Sequence, residues 1–95
     1  MEVVYEILYE VCVAKEDIPK LSSINKKRIK NDIQVKLTTR PELFGKPLRQ
    51  SLKGYRKLRV GEYRVIFRIG GRKVKIFAIL HRSTVYTKIK SRIET

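Results

Sequence analysis

The fold of this chain is decided by residues 54–92, which read GYRKLRVGEYRVIFRIGGRKVKIFAILHRSTVYTKIKSR. Strand-forming residues alternate here with basic ones, and glycines divide the stretch into short runs. A Gly-Gly pair such as Gly70-Gly71 is a signal for a tight hairpin. We therefore predict three consecutive strands, over about Tyr55–Val60, Glu62–Ile69 and Lys73–His81.

The segments before these strands predict one more strand and two helices. Val3–Val13 is β-branched and aromatic and predicts a strand, and Ala14–Leu21 predicts a short helical piece. Ser22 and Ser23 are natural N-cap residues for a longer helix that runs to about Thr38. The apolar stripe of this longer helix consists of Ile29, Ile33 and Leu37.

Two further segments complete the prediction. Arg40–Gln50 contains Pro and Gly and predicts a loop that begins where Pro41 stops the helix. Its apolar residues, which we expect to pack against the core, are Leu43, Phe44 and Leu48. Ser83 is predicted to cap a short C-terminal helix from Thr84 to about Ile93.

This order of elements, β-α-α-β-β-β-(α), predicts an α+β fold. We expect a mainly antiparallel four-stranded sheet with the helices packed on one face. At 95 residues the chain is long enough for one small core, so residues 1–95 are interpreted as a single domain.

Strand parity then predicts what the uncovered face of the sheet presents. Side chains alternate across a pleated strand, so every second residue shares a face. The apolar sets would be buried against the helices, and the charged sets would line the other face. That face is predicted to be a basic groove formed by Lys57, Arg59, Arg64, Arg68, Lys73, Lys75 and His81.

The charge of the chain is distributed unevenly. The sequence holds 23 Lys and Arg against 9 Asp and Glu, a formal net charge of +14. Residues 46–95 contain 15 of these basic residues but only two acids, Glu62 and Glu94. Self-repulsion costs stability, so a polyanionic partner is favoured: a phosphate backbone or an acidic protein. The alternative is a basic surface that serves solubility alone.

The residue types exclude several classes of site. Cys12 is the one cysteine and His81 the one histidine, and the basic half holds too few acids for magnesium. We therefore expect no metal and no cofactor. The start of the sequence lacks the basic region of a signal peptide, and no apolar run approaches the length of a membrane span. These observations predict a cytoplasmic protein with no membrane contact.

Metal-free cleavage of RNA remains compatible with these residues. In that reaction the 2′-hydroxyl attacks its own 3′ phosphate, which requires a base, cations around the phosphoryl oxygens and an acid for the departing 5′ oxygen. His81 could transfer either proton, since imidazole titrates near neutral pH. Tyr86 could act as the base if neighbouring cations assist it. Arg64 and Arg82 suit the phosphate, because the guanidinium fork matches its geometry.

Each of these residues also has a structural interpretation. A lone histidine at a strand end is more often a hydrogen-bonding residue than a catalyst, and Tyr86 alone would be a packing residue of a helix. Arg64 alone would be an ordinary exposed strand residue. The predicted convergence of these residues on one face favours a catalytic role over the structural interpretations.

Two stretches resemble the RelE/ParE superfamily of toxins from bacterial and archaeal toxin–antitoxin pairs. They are FGKPLRQSLKGYRKLRVGEYRVIFRI at residues 44–69 and HRSTVY at residues 81–86. The resemblance implies a small toxin domain whose RelE-like members bind the ribosomal A site and cleave the mRNA there. It also implies a RelB-like antitoxin that wraps around the toxin, in an assembly such as a heterotetramer.

The resemblance assigns roles to individual residues. Arg64 matches the strand arginine that contacts the scissile phosphate, and Tyr86 matches the tyrosine proposed as base. Arg82 or His81 matches the nearby proton donor or phosphate clamp. Residues predicted to bind the RNA backbone are Lys53, Lys57, Arg59, Arg68 and Lys75.

Two alternatives to an mRNA endoribonuclease remain open from the sequence. One is a ParE-like protein that inhibits DNA gyrase without being an enzyme; such members tend to lack the Arg, His and Tyr set found here. The other is an inactive relative that only binds RNA or its antitoxin.

Overall fold

A computed structural model describes residues 4–49 and 52–94 of the chain. Its elements run in the order β1 (Glu6–Tyr9), a π-helical turn (Val13–Asp17) that passes into a 3-10 turn (Ile18–Lys20), α1 (Ser23–Asp32), a second π-helical segment (Ile33–Leu37), α2 (Pro41–Phe44), β2 (Lys46–Pro47), β3 (Arg56–Val60), β4 (Tyr63–Gly70), β5 (Lys73–His81) and α3 (Val85–Glu94). None of the helices in these residues is long and apolar enough to cross a bilayer.

The five strands form one sheet in the order β1-β5-β4-β3-β2. β1 is parallel to β5, and the other neighbours are antiparallel. The predicted α+β class and the mainly antiparallel sheet are confirmed. The expectation of four strands was one short, because β2 lies inside the segment predicted to be a loop. That segment also contains α2. Pro41 is the first residue of α2, a position at which proline is favoured, and it does not end the preceding helix as predicted.

Helices pack on both faces of the sheet, where the sequence predicted one. On the first face, Ile29, Ile33 and Leu37 join the inward residues of β3, β4 and β5 in one apolar cluster, as their spacing predicted. On the second face, Val85 and Ile89 of α3 form another cluster. Its sheet residues are Ile66, Ala78 and Leu80. The predicted uncovered face is therefore partly covered by α3.

A β-bulge in β5 explains why strand parity failed at the end of that strand. Ile66 pairs with Ala78, but the next residue of β4, Phe67, pairs with Ile76, so Phe77 is an extra residue. One extra residue inverts which face all later side chains occupy. The prediction that His81 shares the face of Lys75 is therefore wrong: His81 pairs with Tyr63, on the first face.

The predictions for helix caps and loop residues outside the sheet are confirmed in part. The side chain of Ser22 accepts a hydrogen bond from the backbone N–H of Asn25, so it caps α1 as predicted. Leu48 packs against the second cluster, but Leu43 and Phe44 are exposed, which corrects their expected burial. Ser83 lies two residues before α3, and its hydroxyl contacts His81 instead of capping the helix. Gln50, at the end of the predicted loop, lies outside the described residues.

A buried ion pair fastens α3 to the first helical layer. Asp17 is 3% exposed, and its carboxylate accepts hydrogen bonds from Arg92 Nη1 at 2.8 Å, Arg92 Nη2 at 2.7 Å and the backbone N–H of Ile79 at 2.9 Å. These bonds raise the pKa of Arg92 above its ordinary value. Arg92 Nη1 also donates to the carbonyl of Phe77, the bulge residue. The pair thus joins the helices of both faces to the irregular part of β5.

We expect Asp17→Ala to lower the free energy of unfolding by about 3–5 kcal/mol, because it leaves the charge of Arg92 and a buried N–H without the carboxylate. Chemical denaturation followed by circular dichroism measures this loss. Glu16→Ala is the matched control: Glu16 is exposed and 3.8 Å from Arg92, so its loss should be within about 1 kcal/mol. Equal small losses in both variants would show that the pair does not hold the helices together.

Gly45 lies where the chain passes closely over the sheet. A Cβ atom at this position would overlap the ring of Phe67, which is fully buried and cannot move aside. We therefore expect Gly45→Ala to destabilise the fold by about 1–3 kcal/mol. Gly70→Ala is the control, since a Cβ there meets nothing within 4 Å. The unfolding midpoints of the two variants test this expectation. A midpoint of Gly45→Ala no lower than that of Gly70→Ala would contradict it.

Candidate functional site

A cavity of about 320 Å³ opens at the β2–β3 edge of the sheet, and we call it the basic cavity. It is lined by Lys36, Phe44, Lys46, Lys57, Leu58, Arg59 and Arg64. Five of these seven residues are cationic, and none is acidic. The sheet places the cations together by register: Lys46 pairs with Lys57, and Arg59 pairs with Arg64. Like charges directly opposite each other on two strands destabilise a sheet, so this arrangement favours an anionic ligand.

The backbone holds Arg64 in the basic cavity. Its Nη1 donates to the carbonyl of Gly61 at 3.0 Å and to the carbonyl of Tyr63 at 2.9 Å. Within residues 4–49 and 52–94, its other two guanidinium nitrogens make no hydrogen bond. A guanidinium that is fixed by one nitrogen and open at the others is suited to bidentate contact with a phosphate.

Tyr86 reaches the basic cavity through Lys57. The ammonium of Lys57 donates to the phenol oxygen of Tyr86 at 2.8 Å and lies 5.5 Å from the centre of its ring. Tyr86 is on the first turn of α3 and is 44% exposed, so the oxygen is accessible from solvent. The phenol oxygen therefore acts as an acceptor beside a positive charge, on the same face as Arg64.

His81 and Arg82 do not lie at the basic cavity. The ring of His81 packs edge-on against Tyr63 with 5.6 Å between centroids, and its Nδ1 accepts from the backbone N–H of Ser83 at 3.2 Å. Lys20 and Lys88 line a smaller cavity with it on that side. Arg82 Nε pairs with Glu62 at 2.7 Å. Neither residue lines the basic cavity with Arg64.

The other predicted RNA-binding residues do not line the basic cavity. The guanidinium carbon of Arg68 lies 5.6 Å from the centre of the Tyr55 ring, and Lys75 Nζ forms an ion pair with Glu10 Oε1 at 2.8 Å. Lys53 is exposed in the turn before β3. Lys57 and Arg59 are the two members of this set that line the basic cavity.

Comparison with known proteins identifies the family. A family model described as the ParE toxin of the type II toxin–antitoxin system parDE matches residues 13–86. The chain belongs to the ParE toxin family. The RelE/ParE resemblance drawn from the sequence is therefore confirmed.

Individual proteins are similar to this ParE-family chain. It is 42% identical over 52 residues to Toxin RelE of Mycobacterium tuberculosis, a match that covers 53% of this chain. The chain spans about half the length of that relative, 54%. In the toxin–antitoxin complex RelBE2 of the same organism, one chain superposes with a TM-score of 0.78 and 29% identity, over 85% of this chain and 94% of that one. A chain of the RelB–RelE complex of Methanococcus jannaschii shares the fold, with a TM-score of 0.64 and 23% identity over 83% of this chain and 94% of that one.

The sequence interpretation of this ParE-family chain missed four lining residues, of which Leu58 was expected to be buried in the core. Lys36 lies in the segment predicted to be the longer helix, outside its apolar stripe, and Phe44 and Lys46 lie in the segment predicted to be a loop. The signal that could have found Lys46 is its position just before Pro47, where a short edge strand can begin. Among the described residues, no group of three or more His, Cys, Asp or Glu side chains could hold a metal ion.

Proposed function

We propose that this chain is the toxin of a type II toxin–antitoxin pair and that it cleaves mRNA on the ribosome. The observation that carries this proposal is the basic cavity: Lys57, Arg59 and Arg64 line it together, and Tyr86 is hydrogen-bonded to one of them. The RelE-like members that the sequence resembles cleave mRNA in the ribosomal A site. Residues 1–95 would act as one toxin domain in the cytoplasm.

The chemistry proposed is an attack of the 2′-oxygen on the adjacent phosphorus, which needs no metal ion. The phenol oxygen of Tyr86 accepts the proton of the 2′-hydroxyl as its own phenol proton passes to solvent, and the hydrogen bond from Lys57 orients that oxygen. Arg64 binds the phosphoryl oxygens and stabilises the charge that grows there, with Arg59 beside it. The bond to the 5′ oxygen breaks, that oxygen gains a proton, and the products end in a 2′,3′-cyclic phosphate and a 5′-hydroxyl.

The proton for the leaving oxygen was predicted to come from His81 or Arg82. That assignment stays a prediction, because both side chains lie outside the basic cavity. Lys53, Arg68 and Lys75 also stay predictions as contacts to the RNA backbone. Their exposure and charge suit ribosomal RNA more than the cut strand, since they do not line the basic cavity.

The proposed protein partner is a RelB-like antitoxin, in an assembly such as a heterotetramer. Two of the solved structures that this chain is similar to are described as complexes of RelB and RelE proteins. The formal net charge of +14 would be complemented by an acidic antitoxin, as it would be by RNA.

A second candidate function follows from the name of the matching family model, ParE. A ParE-like toxin would inhibit DNA gyrase without cleaving RNA. The Lys57–Tyr86 hydrogen bond and the cations around Arg64 favour RNA cleavage, because a gyrase inhibitor has no need of a phenol beside a phosphate site.

One experiment separates these candidates. Purified toxin is added to ribosomes paused on a defined mRNA, and the message is mapped by primer extension; in parallel, the toxin is added to DNA gyrase in a supercoiling assay. We expect new mRNA ends in the A-site codon and unchanged supercoiling. Inhibited supercoiling with intact mRNA would establish the gyrase candidate instead. No effect in either assay, together with salt-sensitive RNA binding, would indicate an inactive relative.

A further inference from the structure

Phe44 is an aromatic residue that the fold leaves exposed beside the basic cavity. Its side chain is 43% exposed and lines the cavity with Arg64 and Lys57. It belongs to neither apolar cluster of the described residues. Burial of its ring therefore contributes little to the core, and its position needs another reason.

The chain around Phe44 is held rigidly. Arg56 Nη1 donates to the carbonyl of Glu42 at 3.3 Å and to the carbonyl of Gly45 at 2.9 Å, which ties both ends of this short segment to β3. Gly45 packs against the ring of Phe67 so closely that no Cβ fits. Phe44 lies between these fixed points, so its ring is presented at the mouth of the cavity at a small cost in entropy on binding.

The neighbours of Phe44 match a single-stranded nucleic acid. Lys36 lies over its ring, with Nζ 5.7 Å from the centroid, and the four other cations of the basic cavity surround the space in front of it. Cations that bind a backbone and an exposed ring on which a base stacks are the two elements of single-strand recognition. A base inside a duplex could not reach such a ring, because it is already stacked between its neighbours.

We propose that Phe44 is a stacking platform for an unpaired RNA base next to the phosphate bound by Arg64. This inference rests on the proposed function and makes it more specific: the substrate at the cavity is single-stranded RNA, and one nucleotide beside the scissile bond is positioned by its base. Phe44 is then a binding residue that selects unpaired RNA, while Tyr86 and Arg64 carry out the cleavage.

The test measures stacking directly, without requiring cleavage. The probe is a single-stranded RNA oligonucleotide with 2-aminopurine at one position, scanned along the strand at low salt, where a protein of this charge binds RNA. Stacking on an aromatic ring quenches 2-aminopurine. With the wild-type protein we expect strong quenching at one position, and Phe44→Leu should remove it and weaken binding about 5- to 100-fold. Phe44→Tyr should retain both.

Matched controls separate stacking from folding and from other partners. Leu43→Ala changes the adjacent residue, which is 66% exposed and does not line the cavity, and it should leave quenching and affinity unchanged. Double-stranded RNA with 2-aminopurine at the same position should show no Phe44-dependent quenching. Circular dichroism checks that Phe44→Leu stays folded.

Several results would overturn the inference. No quenching with the wild-type protein, or equal quenching and affinity with Phe44→Leu, would mean that no base stacks there. If Phe44→Leu instead weakened only the complex with an antitoxin, the ring would be a protein contact. Failure of the proposed function gives a different result: quenching by Phe44 persists, but ribosome-bound mRNA is not cut.

Discussion

Tyr86→Phe should slow cleavage of ribosome-bound mRNA by about 10²- to 10⁴-fold, the range expected for loss of a general base. The substitution removes one oxygen, the atom that accepts a hydrogen bond from Lys57 at 2.8 Å. The ring remains, so packing of α3 and the affinity for RNA should change little. Single-turnover cleavage rates on programmed ribosomes measure the effect.

The control for Tyr86 is Tyr9→Phe. Tyr9 is a half-exposed phenol of β1 that lines a different cavity, on the side of α1. Its loss should leave the cleavage rate within about twofold. A Tyr86→Phe protein that cleaves at the wild-type rate would exclude the phenol from proton transfer.

Arg64→Ala should lower the rate of cleavage by about 10²- to 10³-fold, as loss of one fixed donor to a developing oxyanion does. The two backbone carbonyls that hold its Nη1 belong to Gly61 and Tyr63, and they orient the guanidinium before the substrate arrives. That preorganisation is the reason to expect an effect on the rate as well as on binding. In cells, the variant should no longer arrest growth when it is expressed without an antitoxin.

Arg72→Ala provides the control for charge. Arg72 is an exposed residue of the turn between β4 and β5, at the end of the sheet away from the basic cavity. Arg72→Ala removes the same charge as Arg64→Ala, so both variants should lose a similar, small part of their general affinity for RNA. Full toxicity of Arg64→Ala, or an equal loss of rate in Arg72→Ala, would mean that Arg64 is one surface cation among many.

The central hairpins could be predicted because several local signals agree there. The predicted bounds of the last strand, Lys73–His81, match β5 at both ends, and β3 and β4 are within one residue. Gly61 and Gly71 adopt positive φ angles of 60° at the turns, which glycine permits and other residues resist. Alternation then placed Lys57, Arg59 and Arg64 on one face.

The bulge at Phe77 could not be predicted, and it decides where His81 lies. Nothing in the run KVKIFAILH marks an extra residue, because its residues are apolar on both sides of Phe77. The residues of β5 that face α3 and those that face α1 are of the same apolar types, so the sequence does not distinguish the two faces. The bulge is stabilised from a distance, by the hydrogen bond from Arg92 to the carbonyl of Phe77, which is a tertiary contact.

The edge of the cavity was missed for a related reason. α2 and β2 are four and two residues long, too short for any periodic pattern. They are fixed by Arg56 and by the contact of Gly45 with Phe67, both of which depend on the folded sheet. The exposed ring of Phe44 was therefore assigned to the core, the usual place of such a residue.

The chemistry of the cut ends tests the central claim most directly. Messenger RNA cut by the wild-type toxin on ribosomes is recovered, and its new ends are identified by mass spectrometry, with a parallel message that carries a 2′-deoxynucleotide at the cleaved position. Attack by the 2′-oxygen in the basic cavity predicts a 2′,3′-cyclic phosphate, a 5′-hydroxyl and an uncut deoxy-substituted message. A 3′-hydroxyl with a 5′-phosphate, or cleavage of the deoxy-substituted message, would contradict it.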